Sequence, residues 1–476
     1  DLRNVFWRDG ALWQMDGSEK YENDALPTAV VGLFVYGQDN AGIQYVIAMT
    51  GANVWRYSGT AWVDITGAYS VSGEQHFGLT FNSRFIGVTS DRSAPYKIEG
   101  TANIAALGGS PPAGKVIGRI GEFILIGNTA ANPNYAYYCD PGDAESGWDK
   151  FFDIASVRSD VSGITAIGEL DSRSGYIFKE RSADRIEHTG GVQFIHDRGY
   201  LSIGVVAQAT LQKASVFIDG RAVDVLIGLS NDGVYAFDTS KNPYNISKDI
   251  SAKFDRNKPN RWNRSHWHKS VGMYDESRHW YWLWVPSSSS AGQLDELWIC
   301  DLETFDWWPC NPQRSQSLCV INDAQGNPQM HAGGYDGYVR RFSQSLKNYD
   351  AVKIDAYYGT GVIDFKKDVR LRQFIPYAKQ VGNYNLDFKL FWNLSASPTA
   401  IDSFLMSRGG GAYGSGAYGS ASYGSGRPVY KNMGRLNYTG RYLQIYFGND
   451  RINEGFTLFK IEMPARLFGG RTGAYR

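Results

Sequence analysis

What is scarce in this chain narrows its class before any motif is sought. Cysteine is scarce, with only Cys139, Cys300, Cys310 and Cys319 in 476 residues. Their separations match no zinc or redox pattern, and a disulfide scaffold of this length would carry more of them. They read as buried thiols of a protein made in the cytoplasm, with a chance disulfide among the last three as the alternative. Net charge is absent as well: 48 basic side chains face 48 acidic ones. That balance removes the global field that draws a protein onto nucleic acid or an anionic membrane. No apolar run approaches the roughly 18 residues a membrane span needs, so none is expected. No stretch keeps a 3.6-residue apolar period for three turns, which excludes a helical solenoid.

Catalytic signatures are missing too. No HExxH, GxSxG or phosphate-binding loop occurs. His266 and His268 fall on one face of an extended segment with His279 eleven residues on, yet turn histidines account for them better than a metal site. Acidic residues recur at strand ends and turns, where hydrogen bonds to backbone explain them. The chain therefore reads as non-enzymatic, with no catalytic or metal residue and no cofactor.

Aromatic residues are abundant: 30 Tyr and 14 Trp favour β structure. A three-strand unit recurs seven times, starting at Val31, Phe77, Lys115, Ile164, Ala214, Ser270 and Ser317. Each copy runs apolar strand, turn, more hydrophobic strand, then a short strand ending in a small polar or acidic residue. "KVIGRI", "EFILIGN" and "YAYYCD" form the third. The starts lie 46, 38, 49, 50, 56 and 47 residues apart, the spacing of four-stranded propeller blades with a fourth strand such as "WVDIT" between copies. The fold class is all-β: a β-propeller of about seven, or eight, blades over 1–349, followed by an antiparallel β-sandwich over 350–476. The hairpin Asn4 to Gly17 is expected to complete the last blade or to begin an eighth, because an open ring would leave strand edges exposed. Two stacked sandwiches are the alternative architecture. Beyond Asp350 the repeat stops and the strands lengthen, as in Val369 to Lys379, Tyr384 to Asn393, Arg441 to Phe447 and Phe456 to Met463.

Two segments stand out. "KFDRNKPNRWNRSHWHK" carries Lys253, Arg256, Lys258, Arg261, Arg264 and Lys269, interleaved with Trp262 and Trp267, against Asp255. Phosphate contact with aromatic stacking is one reading; an inter-blade insertion packed on a neighbouring subunit is the other. "GGGAYGSGAYGSASYGSG", 409–426, places Tyr413, Tyr418 and Tyr423 five residues apart. An odd period sends successive rings to opposite faces of a strand. A docking loop that presents three tyrosines to a partner protein or subunit is expected there.

The stretches "NVFWRDGALWQMDGSEKY", "NVWRYSGTAWVDITGAYS", "FGLTFNSRFIGVTSDRSAPYKI", "AGKVIGRIGEFILIGN", "YYCDPGDAESGWD", "LSNDGVYAFDTSKNPYNIS" and "RYLQIYFGNDRINEGFTLFKIEMPARLFGGR" together resemble the tail nozzle or tail-hub proteins of short-tailed bacteriophages. The resemblance covers most of the chain and rests on strand-and-turn patterns. It implies a structural virion protein in the tail, assembled in the host cytoplasm as a homo-oligomer of six copies. Below the portal-adaptor ring such proteins continue the channel through which double-stranded DNA transiently passes, and tail fibre, spike or needle proteins dock on them. A glycan-binding tail component, and a propeller glycosidase or lyase, are the competing readings.

Overall fold

In the third repeat Ile120 pairs with Phe123 across a two-residue turn whose first residue, Gly121, has φ +63°. Only glycine adopts that conformation without strain, so the hairpin register is set locally. The strand that follows, Phe123–Thr129, is buried along nearly its whole length. A continuous apolar run is what a strand needs when both faces of its sheet are covered. The computed structural model describes residues 2–38, 43–154, 160–191, 193–218, 220–379, 384–406, 429–430 and 438–467. The chain divides into two compact units: Lys20–Trp307 with Gln313–Phe342, and Asp1–Glu19 with Trp308–Pro312 and Ser343–Arg476.

The first unit is a seven-bladed β-propeller. Antiparallel sheets run in chain order, each stepping from an inner to an outer strand: Gly32–Gln38 to Trp62–Asp64, His76–Phe81 to Ala105–Ala106, Gly114–Ile120 to Lys150–Asp153, Ala166–Glu169 to Gln193–Leu201, and Gln212–Ile218 to Tyr244–Asn245. The sixth blade holds Val271–Asp275, Trp280–Val285 and Glu296–Asp301, then a strand that starts at Trp307; the seventh holds Ser315–Asn322, Pro328–Gly334 and Val339–Ser343. All seven repeats of the sequence correspond to blades.

The hydrophobic core is distributed between consecutive blades. One cluster joins the first blade to the second through Tyr36, Ile47, Phe85 and Tyr96. Another joins the fifth to the sixth through Val225, Ile227, Tyr281 and Leu283. Trp282 meets Phe342 edge-on at 5.1 Å between the sixth and seventh. Fully burying one such large side chain contributes about 1.5–3 kcal/mol, so every blade depends on both neighbours.

The ring is closed by residues near the start of the chain. The Tyr21 N–H donates to the Val339 carbonyl at 2.8 Å, Leu26 to Gly337 at 3.0 Å and Val30 to Gly334 at 3.0 Å. This differs from the expected closure by Asn4 to Gly17. That hairpin, Val5–Arg8 with Ala11–Gln14, lies in the other unit, where Leu12 pairs with Leu458 and Trp13 with Thr457. Val5, Phe6 and Leu12 are fully buried there. The propeller closes with the residues that follow the hairpin, and its unit runs to Phe342.

The second unit is an antiparallel sandwich. One sheet runs Leu2–Arg3, Ala356–Gly359, Tyr438–Asn449, Ile363–Leu371, Ala465–Leu467, with Asn385–Trp392 and Ala400–Leu405 joined through Tyr438–Asn449. The other runs Val5–Arg8, Ala11–Gln14, Thr457–Glu462, Ile375–Ala378, Val429–Tyr430. The stretch Val369 to Lys379, expected as one strand, changes sheets between Leu371 and Ile375. Phe374 is buried at the corner and meets Phe388 at 5.1 Å.

Candidate functional site

The basic insertion Lys253 to Lys269 lies between the fifth and sixth blades and is built on two tryptophans. Short 3₁₀ turns, Lys248–Lys253 and Arg264–Lys269, bracket an exposed tip. Asn263 starts the second turn, its side chain accepting from the Ser265 N–H. Trp262 is 0% exposed and Trp267 3%, and both pack against Phe254. Neither ring can stack on a base, so aromatic recognition of nucleic acid by this segment is corrected: the tryptophans are core.

Three of the six cations are committed within the propeller. Lys253 Nζ sits 3.0 Å from Glu296 Oε2 and 5.1 Å above the Trp298 ring. Arg264 donates to the carbonyls of Asn231 and Phe254 and lies 4.7 Å from the centre of Trp267. Burial, and then the neighbouring Arg256, weaken its hold on the proton. Lys269 pairs with Glu74 at 2.8 Å, and this hydrogen bond holds the Glu74 carboxyl below its usual range. Arg256, Lys258 and Arg261 stay exposed at the tip, with Arg261 donating to the Arg256 carbonyl at 2.9 Å. They are the part of the segment free to meet a phosphate or another chain.

Lys269 also takes part in a brace that sequence reasoning missed. The Gln75 side chain donates to the Lys269 carbonyl at 3.0 Å, and Glu74 holds the Lys269 ammonium. Gln75 immediately precedes the inner strand of the second blade, and Lys269 lies two residues before that of the sixth. These bonds therefore link two non-consecutive blades beside the propeller axis. The inner strands surround a cavity of about 360 Å³ lined by residues such as Leu33, His76, Ile117, Gln212, Met273 and Leu318. Glu296, the anchor of the insertion, was legible only as an acidic residue opening the apolar strand "ELWICD".

His266 and His268 lie with ring centres 6.4 Å apart, while His279 faces the Tyr274 hydroxyl at 3.0 Å. Among the described residues no three His, Cys, Asp or Glu side chains converge as metal ligands. Tyr413, Tyr418 and Tyr423 lie outside the described residues.

No protein-family model matches the chain, and no curated protein matches it. Solved structures align with much of the chain at low identity. The BBS1 N-terminal domain, solved in complex with ARL6, is 12% identical with a TM-score of 0.41, covering 70% of this chain and 97% of that one. The N-terminal domain of Nup159 is 10% identical with a TM-score of 0.40, covering 72% and 98%. The extracellular domain of a hybrid two-component system protein from B. thetaiotaomicron is 10% identical with a TM-score of 0.43, covering 75% of this chain and 42% of that one.

Proposed function

We propose that this protein is a tail nozzle or tail-hub subunit of a short-tailed bacteriophage. In this reading it is a structural component of a six-membered ring. The ring extends the DNA-ejection channel below the portal-adaptor and anchors fibres, spikes or a plug. The observation that carries the reading beyond the sequence resemblance is the occupied axis. Direct bonds of 3.0 Å from Gln75 and 2.8 Å from Glu74 to Lys269 join the second blade to the sixth, and no duplex, whose major groove alone is about 12 Å wide, fits through that contact. A propeller of this kind serves as a rigid building block, and DNA would pass between copies.

The charge arrangement supports the same role. Lys253, Arg264 and Lys269 are spent on internal partners, and the chain has no net charge. Each phosphate neutralised by a cation adds a salt-dependent hold on DNA, and a lumen for ejection works best with few of them. Lateral contacts in such a ring are heterologous, one patch meeting a different patch on the next copy. Sedimentation and native mass measurement of the purified protein, followed by electron microscopy of intact tails, test the reading. A closed ring of six around an open lumen is expected. A strict monomer at micromolar concentration, with no copy in tails, would overturn it.

A further inference from the structure

The outer face of the larger sandwich sheet carries a hollow at Gly448. In the strand Tyr438–Asn449, Leu443, Ile445 and Phe447 are buried, so Tyr446 and Gly448 point to the other face. Pairing sets Tyr357 and Asp387 on either side of Gly448, and Gly359 and Lys389 on either side of Tyr446. The two glycines are treated differently. A Cβ at Gly359 would strike the Tyr446 ring at 2.6 Å, so that ring covers it. The atoms nearest a Cβ at Gly448 would be the Ala356 carbonyl oxygen and the Cβ and Cα of Tyr357, none of them a ring atom. A hollow of about 570 Å³ opens there, with Tyr357 and Tyr446 among its lining residues. That size falls within the usual range of small-ligand sites.

The rim charges decide what fits. Asp355 pairs with Arg3 at 3.6 Å, Asp387 with Arg451 at 2.9 Å, and Asp450 with Lys353 at 3.0 Å. Each carboxylate is compensated, which disfavours a cationic ligand. Lys389 is exposed and has no carboxylate partner among the described residues. A phosphate or sulfate would find Lys389 as the one cation not already paired with a carboxylate, with three carboxylates around it. The compensated carboxylates still have lone pairs to accept from hydroxyls, and Lys389 has N–H groups to donate to them. The Tyr357 ring, with the Arg3 guanidinium 5.7 Å from its centre, and the Tyr446 ring lie beside neutralised polar groups, which matches a molecule that is apolar on its C–H face and hydroxylated at its edge.

We propose that this hollow binds a neutral hexose-containing glycan, with the sugar seated over Gly448, stacked on Tyr357 and hydrogen-bonded by Asp387 and Lys389. The proposal stands apart from the tail reading: glycan binding and ring assembly are separate measurements. The full-length protein is applied to an array of neutral glucose-, galactose- and mannose-containing oligosaccharides beside sialylated and sulfated ones. The strongest neutral binder is then titrated by calorimetry. Binding to neutral glycans is expected, weakened at least tenfold in Tyr357→Ala and in Lys389→Met. The exposed Lys389→Met should leave the unfolding midpoint unchanged, so it reports on binding should Tyr357→Ala fail to fold. No neutral binder, binding confined to sialylated or sulfated glycans, or unchanged affinity in Lys389→Met would overturn the proposal.

Discussion

The indole N–H of Trp262 donates to Oε2 of Glu296 at 3.0 Å, across 34 residues of chain. The same oxygen accepts from Trp298 at 3.0 Å and from Lys253 at 3.0 Å. Removing this acceptor leaves three donors of a half-buried cluster without their partner. Glu296→Ala is expected to cost about 2–4 kcal/mol in urea unfolding, with Glu296→Gln costing less because an acceptor remains. Within the same segment Trp262→Ala should cost about 3–5 kcal/mol, and the exposed Arg261→Ala no more than about 0.5. Equal effects of these last two would refute the division into core and tip.

Two glycine substitutions should shift stability in opposite directions. A Cβ at Gly118 would lie 2.5 Å from Ile167 Cγ2 and 2.6 Å from the Ile167 carbonyl oxygen in the next blade. Gly118→Ala is expected to destabilise by about 1–3 kcal/mol, since a backbone carbonyl yields little. Gly361 has open space around it and no left-handed φ. Gly361→Ala should stabilise by about 0.4–1 kcal/mol through the unfolded state. Differential scanning calorimetry reads both signs.

Acid should weaken the propeller before most carboxylates titrate. Burial pushes His76 and His331 down to about 4 from an ordinary value of 6.5. As pH falls below 6.5 the unfolded chain takes up protons that the native state refuses until about 4. Stability present above pH 6.5 is therefore lost across that window. Each histidine contributes a slope approaching about 1.4 kcal/mol per pH unit. Urea midpoints measured from pH 7 to 5 should fall, and His331→Gln should flatten the fall. A flat profile would show that the two rings are charged in the native state or already buried in the unfolded one.

The four thiols should be silent in the folded protein. All are free and buried, and burial pushes Cys139 up to about 11, Cys319 to about 12, and Cys300 and Cys310 well above the ordinary value. Reactivity requires thiolate and access, and both are withheld. Ellman's reagent at pH 8 should count no fast thiol in native protein and four in denaturant. A rapid native reaction would mean that a blade opens locally.

Much of the fold was legible because blades are local. The inner hairpin of the third blade is set by the short turn Gly121-Glu122, and the second strand of the sixth, Trp280–Val285, is apolar throughout because a blade lies on either side. The candidate sites were less legible. Tryptophans interleaved with arginines have the same composition whether the rings face solvent or core. What decides between them is Glu296, in a strand beyond the insertion. The hollow at Gly448 left no sequence mark either, since its walls come from strands near residues 357, 387 and 446.

By itself the sequence determined the all-β class, the seven repeats and their spacing, the longer strands after Asp350 and the buried state of the cysteines. These follow from side-chain alternation, turn chemistry and residue count, which act over a few neighbours. Only the tertiary structure decided that Asn4 to Gly17 leaves the ring, that Lys20 to Val30 closes it, and that Lys269 braces the second blade against the sixth. The hairpin Val5–Arg8 with Ala11–Gln14 has the same apolar pattern in either place. Its position depends on which distant strand edge is free to pair, here Thr457–Glu462, and adjacent residues carry no record of that.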